Sequence, residues 1–373
     1  MKLKRILGWS AGVILLALVV AALAAYFTSS NTCDRPAAVP GHPMKAIVYC
    51  DYGSPDVLKL EDVEKPTPGD DQVLIKVRAA SVNPYDWHLM RGMPYIVRLQ
   101  AGLRKPKVIR LGVDFAGKVE AVGRNVTRFK PGDEVFGGST GAFAEYVAVR
   151  EDRAAVVPKP PNLSFEQAAS VPIAAITALQ ALRNRGKVQP ARKVLINGAS
   201  GGVGTFAVQI AKSFGAAVTG VCSTKNVEMV RSIGADHVID YTREDFTKNE
   251  RRYDLLLDCV GNHSLSACRR VLNPKGICVM VGDQRGRAMI GILARLIAAL
   301  VLSRFVSQKF VTFLARPNKD DLIIMHDLMK AGMVTPVIDK IYTLSQVASA
   351  IRHVEERRAR GKVVMRLASN SRS

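Results

Sequence analysis

The chain has 373 residues, which is enough for two domains with a sizeable hydrophobic core. Hydrophobic residues make up 48% and charged residues 23%, a balance that excludes a chain disordered throughout or one that crosses a membrane many times. The formal net charge is +21, which favours anionic partners such as phosphorylated ligands or an anionic membrane surface. We do not expect nucleic acid as a partner, because the sequence has no helix-turn-helix, zinc-finger or aromatic RNA-binding pattern.

The amino-terminal residues predict a membrane anchor. A stretch without charged residues covers positions 6–27 and follows three basic residues. It is long enough to cross a bilayer as one transmembrane helix, which takes about 20 residues. A cleaved signal peptide is the alternative interpretation, although its apolar region is usually shorter. Residues 28–43 are rich in Ser, Asn, Pro and Gly and are expected to form a linker.

The six cysteines do not form a C-x-x-C pair, so a zinc knuckle is not expected. Four of them lie in or beside apolar runs, where a free thiol usually behaves as a small buried hydrophobic group. We therefore expect reduced, buried thiols at these positions. They are Cys50, Cys222, Cys259 and Cys278.

The rest of the chain divides into two patterns. Residues 44–150 contain short alternating runs separated by Pro, Gly and Asp, which predict a mainly β domain. After the prolines at 158–161, apolar runs alternate with amphipathic segments of helical length, which is typical of βαβ units and a parallel sheet. The predicted strands of this second part are 193–197, 217–221, 237–240, 255–259 and 277–281.

A glycine-rich turn lies between the first two strands of the parallel sheet. Glycine lets the backbone turn tightly from strand to helix, and it lets amide groups approach a pyrophosphate at the helix amino terminus. A strand precedes the turn, a helical pattern follows it, and a second strand comes about 20 residues later. The turn therefore predicts a dinucleotide site, and its glycines are Gly198, Gly201, Gly202 and Gly204.

The end of the second strand indicates NADP(H) rather than NAD(H). An NAD site usually has Asp or Glu there to hold the ribose hydroxyls. This chain has Ser223, Thr224 and Lys225 instead, and hydroxyl groups with a lysine suit the 2′-phosphate of NADP(H). A solvated loop lysine is the alternative interpretation of Lys225.

Several motifs occur in a characteristic order: VDFAG, PGDEVFG, VPIAAITALQAL and INGASGGVG. With the β-rich first domain, they resemble the medium-chain dehydrogenase/reductase superfamily, and within it the zinc-independent quinone oxidoreductase-like branch with its enoyl reductase domains. The resemblance implies an α/β fold, with a GroES-like mainly β catalytic domain and a Rossmann doubly wound parallel sheet, here preceded by the transmembrane helix. The expected divisions are an anchor and linker at 1–43, a catalytic domain at 44–165, an NADP-binding domain at 166–318 and a return to the catalytic domain at 319–373.

The positions that zinc-dependent members use as metal ligands lack those ligands here. The resemblance matches them to residues 83–88, 112–114 and 172–174, which offer no thiolate and only one imidazole. We therefore expect no metal. Without a metal acting as Lewis acid, hydrogen-bond donors must stabilise the anion that forms when hydride reaches an electron-poor centre.

The resemblance also implies roles for single residues. It places Asn83 and His88 in the catalytic cleft, where His88 would donate a proton near neutral pH. The alternative is that Asn83 braces a turn and His88 is structural. For the cofactor, it assigns Thr177 to the nicotinamide and Gly201, Gly202 and Val203 to the pyrophosphate. The residues implied at the adenosine phosphate and the nicotinamide ribose are Ser223, Lys225, Tyr241, Cys259, Val260 and Gly261.

These features predict an NADPH-dependent, zinc-independent oxidoreductase that transfers hydride to a quinone or an α,β-unsaturated carbonyl compound. A zinc-independent alcohol or aldehyde dehydrogenase is the first alternative. A membrane-tethered, non-catalytic binding protein that keeps the fold is the second. We expect a membrane-anchored enzyme with its catalytic domain in the cytoplasm, where NADPH is found. The apolar, charge-interrupted segment 288–315 predicts a helical excursion over the cleft or at a subunit contact, and a segment that rests on a membrane surface near the anchor is the alternative interpretation. A homodimer is left open.

Overall fold

A computed structural model describes residues 41–152, 155–282, 297–299 and 302–367. Two large sheets organise them. The first is an open, mostly antiparallel sheet, and the second is fully parallel with helices between its strands. This arrangement confirms the predicted α/β fold with a mainly β part and a Rossmann-like parallel sheet.

The first sheet has seven strands, and its long central strand has three partners. The strand order is β14-β15-β3-β4-β5-β7, and β6 also pairs with β3. A separate pair of strands, β1 and β2, lies beside this sheet. The bounds are β1 Pro43–Val48, β2 Lys59–Glu64, β3 Gln72–Val82, β4 Asp114–Val122, β5 Glu134–Gly138, β6 Tyr146–Arg150, β7 Ala155–Pro158, β14 Ile338–Thr343 and β15 Lys362–Arg366.

The second sheet has six parallel strands in the order β10-β9-β8-β11-β12-β13. Counted along the chain this is 3-2-1-4-5-6, the order of a dinucleotide-binding Rossmann fold. The five strands expected from the sequence are all present. The bounds are β8 Lys193–Asn197, β9 Ala217–Cys222, β10 His237–Asp240, β11 Tyr253–Asp258, β12 Leu272–Met280 and β13 Lys309–Thr312.

The helices connect the strands and cover the parallel sheet. Helix α4 (Pro172–Gln180) is almost entirely buried, because it packs on the first sheet as well as on α5 (Gly202–Ser213) of the second domain. One cluster of buried apolar residues therefore extends across both domains. The bounds are α1 Pro84–Arg91, α2 Arg98–Ala101, α3 Phe165–Ala169, α4 Pro172–Gln180, α5 Gly202–Ser213, α6 Val227–Ser232, α7 Leu265–Arg270, α8 Lys319–Lys330 and α9 Val347–Glu355.

The segment 288–315 differs from its prediction in the part that is described. Residues 297–299 and 302–305 are helical, but Lys309–Thr312 forms the sixth strand and pairs in parallel with β12. The strand buries Phe310 at the sheet edge, and its Phe, Val and Thr residues favour extended structure. The rest of the segment lies outside the described residues.

Within the described ranges, no helix is long and apolar enough to span a membrane. The longest helices there, α5 and α8, have 12 residues each, about 18 Å, whereas a span needs about 30 Å. The predicted anchor at residues 6–27 lies outside the described residues. Among the cysteines, Cys222 and Cys259 are free as expected. Cys50 is disulfide-bonded, so the expectation of a reduced thiol there was wrong.

Gly204, in the first turn of α5, allows the close approach of helix and turn. A Cβ on Gly204 would clash with the Gly198 carbonyl oxygen, whereas one on Gly201 would lie 3.4 Å from the same atom. We expect Gly204→Ala to lower the free energy of unfolding by about 1–3 kcal/mol, as overpacking does. Gly201→Ala, the matched control, should cost less than about 1 kcal/mol. Urea denaturation of both variants tests this, and equal losses would contradict it.

Candidate active site

The glycine-rich turn leads from β8 directly into α5. Gly198 has a positive φ of 86°, and Gly201 is the extended residue that precedes the helix. This geometry brings the amide groups at the start of α5 to the carboxyl end of the sheet, where a phosphate group would be favoured by the helix dipole. The glycines predicted from the sequence therefore lie together at the start of one helix.

The same turn is attached to the first domain by the strand that returns to it. The backbone N–H of Gly361 donates to the Ser200 carbonyl oxygen at 2.9 Å, and Gly361 forms a parallel bridge with Gly201. The next residue, Lys362, begins β15, and its Cδ atom lies 3.2 Å from where a Cβ of Gly202 would be. The side chain of Lys362 thus starts at the nucleotide turn and enters the first domain.

Asn83 lies at the other end of the Lys362 side chain and is 1% exposed. Its Oδ1 accepts a 2.6 Å hydrogen bond from the Lys362 Nζ. Its Nδ2 donates to Asp114 Oδ2 at 2.9 Å and to the Ser81 carbonyl oxygen at 3.4 Å. Every side-chain polar atom of Asn83 is therefore engaged within the protein.

Asp114 connects this cluster to the second domain. One carboxylate oxygen accepts from the backbone N–H of Ile173, near the start of α4, and the other accepts from Asn83 and Ser81. The Lys362 Nζ lies 3.9 Å from Asp114 Oδ2. Burial raises the pKa of Asp114, and the nearby ammonium of Lys362 opposes that rise.

Asp86 is the second buried carboxyl group of the cluster. It accepts hydrogen bonds from the backbone N–H of Asn83 at 2.7 Å and of Gly112 at 3.2 Å, so it closes the first turn of α1. Burial raises its pKa to about 7. Burial also lowers the pKa of Lys362, and the two carboxylates act in the opposite direction. We use the name polar cluster for Asn83, Asp86, Asp114 and Lys362.

From the sequence, Asn83 was predicted to lie in the catalytic cleft, but roles for Asp86, Asp114 and Lys362 were not predicted. The local sequence carried no signal for Lys362, because the residue follows the basic stretch that ends at Gly361 and is the first residue of β15. Only the structure shows that it is 3% exposed.

The residues predicted for the nicotinamide end lie in helix α4 and in the loop after β11. Thr177 is a buried residue of α4. After β11, the backbone N–H groups of Val260 and Gly261 donate to Asp258 Oδ1 at 3.2 and 2.8 Å, which holds this loop against the strand end. Cys259 is a free thiol whose pKa is raised by burial, so it remains protonated at neutral pH.

The residues predicted for the adenosine end lie after β9 and β10. Lys225 is exposed and makes no ion pair with any residue that the structure describes, and Tyr241 is 61% exposed. Asp240 lies nearby, but its carboxylate is engaged by Thr224 at 2.6 Å and by the backbone N–H of Thr242 at 3.0 Å. Its acidic group is therefore not free to hold ribose hydroxyls.

A buried amide, Asn226, lies beneath the exposed end of this site. Its Nδ2 donates to Ser200 Oγ at 3.1 Å and to Ser223 Oγ at 3.2 Å. Each serine oxygen then acts as an acceptor toward Asn226, so each hydroxyl hydrogen is free to point elsewhere. The two hydroxyl groups and Lys225 thus offer donors to an anion.

Comparison with known proteins agrees with this geometry. Residues 69–161 match the family model described as an alcohol dehydrogenase GroES-like domain, and residues 233–365 match one described as a zinc-binding dehydrogenase. The chain is 35% identical to the 2-methylene-furan-3-one reductase of Solanum lycopersicum and 35% identical to the chloroplastic NADPH-dependent alkenal/one oxidoreductase of Arabidopsis thaliana. Both matches cover 86% of this chain and 79% of the relative.

A solved structure, the quinone oxidoreductase from Coxiella burnetii, superimposes with a TM-score of 0.75 at 31% identity. The match covers 88% of this chain and all of the other.

The predicted location, a membrane-anchored enzyme facing the cytoplasm, is corrected by these findings. The Arabidopsis relative is named as a chloroplastic protein. In the parts of the chain that the structure describes, every helix is too short or too polar to cross a bilayer. We therefore do not retain the membrane location.

The name of one matching family model raises the question of zinc, and the residues present do not fit that metal. Among the described residues, no group of three His, Cys, Asp or Glu side chains could hold a metal ion. The oxygen of Asn83 is bound by the Lys362 ammonium, and Asp114 already accepts three hydrogen bonds. A second cation at this place would be repelled by Lys362.

The long matches at more than 30% identity settle the family. One family model lies within the first domain, and the other runs from the parallel sheet into β14 and β15, which return to the first sheet. By name, the relatives that cover most of the chain include a reductase, an NAD(P)H oxidoreductase and an NADPH-dependent oxidoreductase. The chain therefore belongs to the medium-chain dehydrogenase/reductase superfamily, in its quinone oxidoreductase-like branch, and is an NAD(P)H-dependent oxidoreductase.

Proposed function

We propose that the protein uses NADPH to reduce a quinone or an α,β-unsaturated carbonyl compound. The observation that carries this proposal is the position of the polar cluster, which lies directly beside the nucleotide turn and contains a buried cation. Such a group suits substrates whose oxygen becomes negative when hydride arrives. The names of the tomato, Arabidopsis and Coxiella proteins, which describe a furanone, alkenals or enones, and quinones, support this substrate class.

NADPH, when bound, supplies the hydride. The chain's own residues would hold it along the carboxyl ends of the parallel strands. We assign the pyrophosphate to the turn that includes Gly201, Gly202 and Val203, and the nicotinamide to the side near Thr177. The loop after β11, with Cys259 and Gly261, would face the nicotinamide ribose.

We assign the 2′-phosphate to Ser223, Lys225 and Tyr241. The support is electrostatic, because Lys225 has no ion-pair partner among the described residues. The carboxylate of Asp240, at the end of β10, already accepts hydrogen bonds from Thr224 and Thr242. The hydroxyl groups of Ser200 and Ser223 add donors, since Asn226 already uses their acceptor side. NADPH would therefore be preferred to NADH.

His88 has a geometry that favours the structural interpretation. Its Nδ1 lies 2.7 Å from the Met93 carbonyl oxygen, which can only accept, so Nδ1 carries the hydrogen. Its ring also stacks on Trp87 at 3.6 Å. Burial lowers the pKa of His88, so the ring is neutral at pH 7 and its Nε2 is an acceptor. A proton donor at neutral pH is then better sought elsewhere.

We expect purified full-length protein to oxidise NADPH with quinones, enones or enals, and to be unaffected by a metal chelator. Simple alcohols with NADP⁺ should give no turnover. The measurement is NADPH absorbance with each substrate class, with and without chelator. Chelator-resistant oxidation of simple alcohols would favour the alcohol dehydrogenase alternative. Tight NADPH binding without turnover on any substrate would favour the binding protein.

Lys225→Ala should raise the Kd for NADPH about 10- to 100-fold, because a charge-assisted hydrogen bond to the 2′-phosphate is lost. The Kd for NADH should stay the same, since NADH lacks that phosphate. Lys330→Ala, which removes an exposed lysine at the end of α8, is the matched control. Fluorescence titration measures both ligands, and an equal loss for NADPH and NADH would reject the assignment.

The tautomer of His88 can be checked directly. In protein labelled with ¹⁵N-histidine, we expect the His88 ring to be neutral with its hydrogen on Nδ1 at pH 7, and to titrate below its usual value of 6.5. His88→Gln identifies the signal by removing it. A charged ring at pH 7 would restore His88 as a candidate proton donor.

A further inference from the structure

We infer that Lys362 is the catalytic hydrogen-bond donor of this enzyme, and that Asn83 and Asp114 position it. Its ammonium group would bind the substrate oxygen that becomes negative during reduction. The inference rests on the proposed function, since it names the residue that meets the quinone or enone oxygen.

The first observation is that the side-chain oxygen and nitrogen of Asn83 both already have hydrogen-bond partners within the protein. Its oxygen accepts from Lys362, and its amide group donates to Asp114 and to the Ser81 carbonyl oxygen. It is also 1% exposed. Asn83 can therefore orient a neighbour, but contact with a ligand would require it to break a buried hydrogen bond.

The second observation is that the Lys362 ammonium group has more N–H donors than it has acceptors among the described residues. An ammonium group has three N–H donors. Among the described residues, Lys362 uses one, toward Asn83 Oδ1 at 2.6 Å, while Asp114 Oδ2 at 3.9 Å is too far for a hydrogen bond. The side chain is 3% exposed, so water does not freely satisfy the others. Buried unsatisfied donors are costly, and a ligand oxygen would relieve that cost.

A second buried lysine shows what a purely structural ammonium looks like in this chain. The Lys159 side chain is 5% exposed. Its Nζ lies 2.6 Å from the Leu163 carbonyl oxygen, 3.1 Å from that of Pro160 and 3.3 Å from a Glu134 carboxylate oxygen. Three acceptors match its three donors. Lys362 is buried to a similar degree but has one hydrogen-bond acceptor among the residues that the structure describes.

The third observation is location. Gly361 is joined to the nucleotide turn by the hydrogen bond to Ser200, and the Lys362 stem passes Gly202. The side chain therefore runs from the nucleotide turn to Asn83, so its ammonium group lies where the two domains meet. A substrate placed to receive hydride from a cofactor on that turn would come close to it.

The chemistry balances with NADPH as the two-electron donor. Hydride adds to the β-carbon of an enone or to a quinone, the π electrons move to the oxygen, and NADP⁺ forms. The Lys362 ammonium donates a hydrogen bond to that oxygen and can transfer its proton, giving the enol or the hydroquinone. An enol then becomes the ketone, and solvent reprotonates the amine. The net change is substrate plus NADPH plus one proton to reduced substrate plus NADP⁺.

The test must separate this role from simple charge balance with Asp114. Lys362→Met removes the ammonium and leaves Asp114 buried without its cation, so loss of stability is expected. The double variant Lys362→Met/Asp114→Asn removes both charges and should recover the melting temperature. Lys159→Met is the matched control, because it removes a buried lysine that is fully hydrogen-bonded and outside the polar cluster.

We expect the double variant to lose about 100-fold or more in kcat, the effect of removing one oxyanion donor. Its Kd for NADPH should differ from the wild-type value by less than about threefold, because the proposed hydrogen bond of Lys362 is to the substrate and not to the cofactor. Lys159→Met should lose stability but keep kcat. A double variant with kcat near the wild-type value would overturn the inference and leave Lys362 as a counter-ion of Asp114.

A measurement on the wild-type protein keeps the inference testable if the variants do not fold. The probe is p-nitrophenol, whose phenolate absorbs visible light, bound in the presence of NADP⁺. We expect its pKa to fall on binding, because the Lys362 ammonium favours the oxyanion. No binding, or an unchanged or raised pKa, would contradict the inference. This readout does not depend on turnover, so failure to reduce quinones or enones would reject the proposed function separately.

Discussion

The pairing of β15 with β3 is the contact on which the active site depends. It brings a strand from the end of the chain into the first sheet, and the residue before that strand, Gly361, bonds to Ser200 in the nucleotide turn. A positive φ of 87° at Gly361 is part of this connection, and a Cβ there would clash with the Val337 carbonyl oxygen. Because one short segment joins both domains, the cofactor site and Lys362 are held at a fixed separation.

The polar cluster places charged side chains in the protein interior, which is unusual. Two carboxyl groups and one ammonium group are removed from water, and each would be strongly disfavoured alone. Asp86 is compensated by backbone N–H groups, and Asp114 accepts three hydrogen bonds. Within the described part of the chain, Lys362 is the member whose hydrogen-bonding capacity is left incomplete. Where most local rules are obeyed, an incompletely satisfied group tends to mark a functional site.

Patterns along the chain predicted the nucleotide-binding half well. The alternation of short apolar runs with helical segments placed five strands correctly, and the glycine turn lies where a turn between β8 and α5 was expected. The sixth strand, Lys309–Thr312, was missed because its flanks are apolar and interrupted by charges at irregular spacing, which resembles a helix. Cys50 was taken for a reduced thiol because its neighbours in sequence are apolar, and local context cannot reveal a disulfide partner.

The sequence by itself determined what depends on residues close together in the chain. It determined the βαβ alternation, the glycine turn, and the replacement of an acidic residue by Ser223 and Lys225 after the second strand. Only the tertiary structure decided how the polar cluster is assembled. Lys362 and Asn83 are 279 positions apart, and they meet because β15 returns to β3. The burial of Lys362, its hydrogen bond to Asn83 and its unused donors all result from this long-range contact. No pattern within either segment could therefore predict them.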